Sequence, residues 1–257
     1  MTIKEIKDSI QQWNEVRMTS LGLNFLTSGS GLEIRRSEFE AWKDIQNEHN
    51  IDIDDIEVHM YIGIVEFEIT FYLVDSYSDK YQDYEVNKNL FVKEYTKSTF
   101  LGDLEKGAVQ IPPLEFVTYK RNETIEDEEK EREKAINGAF TWLLYSDTWF
   151  KNKQKEVKLA GGTDETGPVR VFKIPFVDFV DIFNDPETQK AFLFFGIRNY
   201  EDKDKKPLYR NEIELLLCSK QKLKEDTDTP IKILIFRDVT SPCPPFSMDG
   251  ENFNLIR

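Results

Sequence analysis

Residues 56–74, IEVHMYIGIVEFEITFYLV, constrain the fold of this chain more than any other stretch. β-Branched and aromatic residues crowd it, no proline interrupts it, and apolar side chains recur at the strand period of two. The apolar positions are even at first (Ile56, Val58, Met60, Ile62, Ile64) and odd afterwards (Val65, Phe67, Ile69, Phe71, Leu73). A period-two pattern changes face only where a residue is inserted or the chain turns. The change falls near Gly63, and a glycine inside a strand often marks a bulge or bend. The stretch therefore predicts two strands, or one bulged strand, in the middle of a sheet. It specifies architecture and names no reaction.

The segments before it read as a helical pair. Thr2 and Glu5 form a capping-box pattern ahead of Ile3, Ile6, Ile10 and Trp13, which predicts an amphipathic helix from residue 3 to about 18. Packing on its own domain is the plain expectation for this helix, and docking into a neighbouring subunit is the alternative. Ser37 and Glu40 repeat the pattern before Phe39, Trp42 and Ile45, and this second helix should end near His49 and Asn50. Between the two, Thr27, Ser28, Gly29, Ser30 and Gly31 form a loop without the lysine or spacing of a phosphate loop. Asp52, Asp54 and Asp55 invite a calcium reading that fails on spacing. Counted from Asp52, an EF-hand needs Gly at its sixth position and Glu at its twelfth, where the chain has Glu57 and Gly63.

After the central stretch, residues 75–84 are polar and tyrosine-rich and read as an exposed connection, with another strand expected in 84–95. Ile111, Pro112 and Pro113 stop regular structure, and 114–119 suit a short strand. Residues 126–134, EDEEKEREK, then give way to Ala135, Ile136, Ala139, Phe140, Leu143 and Leu144. This pattern predicts a helix whose first turns are solvated and whose later turns bury an apolar stripe that Trp142, Trp149 and Phe150 extend. Residues 151–167 read as a linker, so the chain divides into 1–160 and 161–257 unless 1–257 is one domain. Val169 to Ile174 suit a strand, and Pro175 opens a short apolar helix through Phe183. Residues 191–199, 208–219 and 231–239 predict an antiparallel meander. Ser241, Pro242, Cys243, Pro244 and Pro245 predict a stiff, extended tail that cannot continue the sheet.

The expected fold is thus α+β, a mixed but largely antiparallel sheet with an N-terminal helical pair and a central amphipathic helix. A chain of 257 residues with 39% hydrophobic content can bury a sizeable core. Its 48 acidic against 34 basic side chains give a formal charge of -14, which disfavours nonspecific nucleic-acid binding by the chain as a whole. No apolar run of signal-peptide or membrane-spanning length occurs, so the expectation is a soluble chain, cytoplasmic or assembled in a virion particle. Two cysteines, Cys218 and Cys243, lack disulfide-framework and metal-ligand spacing. Asn122, Glu123 and Thr124 match the glycosylation sequon in a context that is not secretory.

No zinc-protease, nucleophile-elbow, dinucleotide or paired C-x-x-C motif occurs. The two histidines, His49 and His59, have no local cysteine partner, and His59 on a strand reads as a hydrogen-bonded core or rim residue. Glu66 and Glu68 at i and i+2 would share one strand face about 7 Å apart, the spacing of a glycosidase pair, but exposed acids on the outside of a sheet are the simpler reading. No catalytic, cofactor or metal site is therefore expected. The expected function is a non-enzymatic structural subunit of a homo- or hetero-oligomeric assembly, for example a virion connector or ring whose acidic walls let DNA pass. Contacts through the N-terminal helix and the tail 241–257 are part of that expectation. An acidic inhibitor covering a basic partner is the alternative, and an enzyme without familiar motifs the third.

Overall fold

The computed structural model describes residues 1–29, 31–95, 125–159, 168–199, 211–222, 232–238, 241–243 and 253–256. The strand expected at 114–119 and the sequon at 122–124 lie outside them. The fold is α+β, as the pattern of elements predicts.

The central stretch is a hairpin. Strand β2 (Glu57–Val65) pairs antiparallel with β3 (Glu68–Asp75), from Val58 opposite Asp75 to Val65 opposite Glu68. Only Glu66 and Phe67 link them, with φ of 51° and 66°, the positive pair that a type I′ turn requires. In this register every even position of β2 faces an odd position of β3, so Met60 lies opposite Leu73 and Ile62 opposite Phe71. Even and then odd apolar residues therefore line one and the same face, and the parity switch records the turn. The turn lies at Glu66 and Phe67 rather than near Gly63. What Gly63 provides is space, since a Cβ there would come within 2.6 Å of Ser9 Oγ and 2.7 Å of the Tyr72 ring. Its missing side chain lets a helix lie directly on the strand. Glu66 sits in the turn and Glu68 opens the next strand, both exposed, so they are not an i, i+2 pair on one strand.

That helix is α1 (Ile3–Val16), closed at its start by the reciprocal Thr2 and Glu5 capping box. Ile6, Ile10 and Trp13 are buried against the chain's own sheet, and Ser9 Oγ lies 2.6 Å from Tyr72 Oη. Its apolar face is thus packed on the chain's own sheet. A second helix, α2 (Ser20–Leu26), follows, capped by Thr19, and then a short strand β1 (Leu32–Arg35) and α3 (Arg36–Glu48). Neither α2 nor β1 stands out in the sequence, since seven and four residues are too few to show a period.

The remaining elements are α4 (Ser76–Tyr81), β4 (Leu90–Glu94), α5 (Ile125–Leu159), β5 (Val171–Pro175), α6 (Phe176–Phe183), β6 (Lys190–Asn199), β7 (Asn211–Lys222), β8 (Lys232–Asp238) and β9 (Ser241–Cys243). They build two antiparallel sheets, a five-stranded one in the order β4-β3-β2-β5-β9 and a four-stranded one in the order β1-β6-β7-β8. Two expectations change here. Helix α5 continues through residues 151–159, where composition suggests an irregular linker. The proline-containing tail segment does pair: β9 lies along β5, with Pro242 opposite Phe172 at the sheet's edge, where a missing N–H costs no ladder bond.

One large core fills the space between the sheets. Val58, Met60, Ile62, Ile69, Phe71 and Leu73 from one meet Leu193, Phe195, Ile197, Leu215 and Leu217 from the other, with Phe39, Trp42 and Phe179 from α3 and α6. Phe195 and Phe71 have ring centroids 6.1 Å apart. A smaller cluster of Ile6, Ile10, Tyr61, Tyr72, Val74, Val171, Phe253 and Leu255 lies under α1 on the opposite face of the five-stranded sheet. Trp142, Trp149 and Phe150 anchor α5 in the large core, and the buried ammonium of Lys153 pairs with Glu212 of β7.

Candidate functional site

The most unusual chemistry sits where sequence suggests an exposed connection. Residues 76–81 form α4, because Asp75 Oδ1 accepts from Ser78 N at 2.7 Å as an N-cap and Gln82 closes the helix in the left-handed conformation. One turn of this short helix puts Asp79 inside the protein with no exposed surface. A buried carboxylate needs donors, and Asp79 has four. His59 Nδ1 donates to Oδ2 at 2.6 Å and Tyr61 Oη donates to the same oxygen, while Tyr84 Oη at 2.6 Å and Asn254 N at 3.2 Å donate to Oδ1. The Asn254 side chain also donates to the Asp79 carbonyl at 2.7 Å. Phe253 packs edge-on over the His59 ring, with centroids 4.8 Å apart. The cluster thus joins one strand, a helix, the loop after it and the 253–256 segment.

His59 is the member that also lines a pocket. With Nδ1 turned to Asp79, the opposite ring nitrogen Nε2 is buried, has no hydrogen-bond partner, and lies 3.9 Å from Glu57 Oε2. That is too long for a hydrogen bond. Glu57 and His59 are two residues apart on β2 and therefore share a face. Both line a pocket of about 330 Å³ completed by Ile51, Asp55, Ser76, Tyr77, Lys80 and Tyr81. Helix α4 supplies Ser76 with Lys80, and Tyr77 with Tyr81, as two i, i+4 pairs on one face. Ser76 Oγ accepts from Glu57 N at 3.1 Å, and Lys173 Nζ stands 3.3 Å from Glu57 Oε2. Tyr77 stacks on His49 with ring centroids 4.0 Å apart.

Burial opposes the charged form of His59, but the hydrogen bond to Asp79 and the negative charge of Asp79 and Glu57 more than offset it, and the imidazole pKa is raised. Burial likewise pushes at Glu57, yet His59 and Lys173 hold its carboxyl below the ordinary range. Tyr61 is driven up by burial first and then by the Asp79 charge, so its phenol keeps its proton. The raised pKa favours the protonated imidazole, whose Nε2 lies toward Glu57. Among the described residues no three metal-ligating side chains converge.

His59 reads from the sequence as a hydrogen-bonded strand residue, and so it is. Asp79, Tyr84, Ser76 and Asn254 carry no comparable signal; the one local trace of this site is the Asp75 to Ser78 cap spacing. Cys218 is buried on β7 in the other sheet, and Glu66 and Glu68 are not among the residues lining this pocket.

A second feature lies on α5. Beside its buried tryptophans, Phe140, Leu143 and Leu144, at i, i+3 and i+4 on one face, and the neighbouring Tyr145 are 54%, 47%, 71% and 57% exposed. The stripe expected to be buried is thus split, with the tryptophans inward and these four outward. Among the described residues no helix is long and apolar enough to cross a membrane. No family model, no curated protein and no solved structure matches the chain.

Proposed function

We propose that the protein is a non-enzymatic subunit of a larger assembly, held by a different protein that covers the outer face of α5. The observation that carries this reading is the group Phe140, Leu143 and Leu144, at i, i+3 and i+4 on one face of α5 and each about half exposed or more. Contiguous apolar surface of this kind is a common mark of a protein interface. Charge selects the occupant. At -14 per chain, two copies repel one another, and the helix approaches the apolar face through the acid-rich sequence EDEEKEREK at 126–134. The fitting partner is an apolar groove with a basic rim. That description also covers the inhibitor reading, in which an acidic protein blocks a basic partner. A ring or virion connector built only of this chain needs like-charged copies side by side and is the less favoured form.

Photo-crosslinking from position 144 in the cells that make the protein tests the proposal. A photoreactive residue replacing Leu144 is expected to trap one different protein, and adding Phe140→Ser is expected to reduce the yield at least several-fold. Crosslinks only to a second copy of this chain, or none, overturn it.

A further inference from the structure

The pocket beside His59 carries an inference independent of the α5 interface. Buried polar groups are nearly always hydrogen-bonded, and His59 Nε2, 3.9 Å from Glu57 Oε2, has no hydrogen-bond partner. Here the group is 2% exposed and stands at the wall of a cavity of about 330 Å³, within the size range of small-molecule sites. The lining has two characters. His59 Nε2, the Ser76 hydroxyl and the Lys80 ammonium are donors, and among the described residues the Ser76 hydroxyl has no acceptor. Glu57 and Asp55 are acceptors on the same wall, and Tyr77, Tyr81 and Ile51 give it an apolar floor. A simple anion would meet two carboxylates, and a simple cation would meet the Lys80 ammonium. A ligand carrying both charges a few bonds apart satisfies both sets.

We propose that this pocket binds a free α-amino acid. Its carboxylate accepts from His59 Nε2, Ser76 Oγ and Lys80, its ammonium donates to Glu57 and Asp55, and its side chain lies against Tyr77 and Tyr81. The buried Asp79 holds the imidazole at Nδ1 and so aims Nε2 at the ligand. No bond is made or broken; the site recognises and retains.

Isothermal titration of the full chain with the standard L-α-amino acids, each beside its decarboxylated amine and its deaminated acid, tests this. At least one amino acid is expected to bind with one-to-one stoichiometry, with both analogues at least tenfold weaker. Glu57→Gln and Ser76→Ala at the pocket wall are expected to weaken it at least several-fold without loss of the far-UV circular dichroism spectrum. His59→Gln is expected to abolish it, and in the wild type the His59 ring nitrogen resonances should shift on saturation. Absence of binding by every amino acid, equal binding of an amine or acid analogue, or unchanged affinity in Glu57→Gln and Ser76→Ala overturns the proposal. Because the last two variants alter the pocket wall and leave Asp79 in place, the result stands even if His59→Gln fails to fold.

Discussion

Asp79 carries four donors on one buried carboxylate, and the histidine among them makes the protein's stability depend on pH. His59 binds its proton more tightly when folded than its ordinary value of 6.5, because Asp79 and Glu57 outweigh burial. Its stabilising contribution is therefore complete below that value and is lost as pH rises through the raised folded pKa. In urea titrations across neutral and mildly alkaline pH, the stability advantage of wild type over His59→Gln is expected to shrink as pH rises. A constant difference across that range contradicts the assignment. The groups that set this limb are Asp79 and Asp75 at α4, Glu57 and Tyr61 on β2, and Lys173 acting through Glu57. Gly63 is the second residue on which a single atom decides. Since an added Cβ would collide with the Ser9 backbone and the Tyr72 ring as well as with Ser9 Oγ, Gly63→Ala is expected to cost about 1–3 kcal/mol by pushing α1 off β2. Equilibrium unfolding reads that loss directly.

At the scale of elements, the hairpin shows how far pattern alone reaches. Strand period and the parity switch are enough to predict two strands in a sheet, because each side chain's face follows from its number. The site of the turn is hidden, because Glu66 and Phe67 are not the residues that positive φ favours, whereas Gly63 looks the part. Replacing Glu66 and Phe67 by Asn-Gly is therefore expected to stabilise the hairpin by up to about 1 kcal/mol, and also to remove a phenylalanine that is 85% exposed. A lower thermal midpoint in that variant would show that Phe67 makes contacts its exposure conceals. The helix α1 and the meander β6-β7-β8 are legible for the same reason as the hairpin. Helix α4 is not. Its sequence SYSDKY is polar throughout, and what buries Asp79 comes from His59, 20 residues away, and from Asn254, 175 residues away. Local pattern holds no record of such partners. The outward face of α5 reads wrongly as buried because Phe140, Leu143 and Leu144 continue the helical spacing of Ile136 and Ala139, and only the packed helix shows that Trp142 and Trp149 are the set that turns inward.

At the scale of the molecule, neither sheet belongs to one half of the chain. The four-stranded sheet takes β1 from the first 35 residues and pairs it with β6, while the five-stranded sheet takes β5 and β9 from beyond residue 170, pairing β5 with β2 and β9 with β5. The Phe195 ring on one sheet lies 6.1 Å from Phe71 and 5.9 Å from Phe172 on the other, and its neighbour Trp142 brings α5 into the same contact at 5.3 Å. A core held in common by both sheets gives no surface along which half of the molecule could unfold and leave the other intact. Trp13 and Trp42 report on the region around α1 and α3, whereas Trp142 and Trp149 report on α5. Unfolding followed by tryptophan fluorescence and by far-UV circular dichroism is therefore expected to give coincident single transitions. Phe195→Ala is expected to shift both by about 3–5 kcal/mol together, because the cavity it leaves opens onto both sheets. If fluorescence of a variant retaining only Trp142 and Trp149 were to move at a different urea concentration from that of one retaining only Trp13 and Trp42, the sheets would be separate cooperative units despite the shared rings. The contacts of Phe195 would then contribute to an interface between lobes and not to one core.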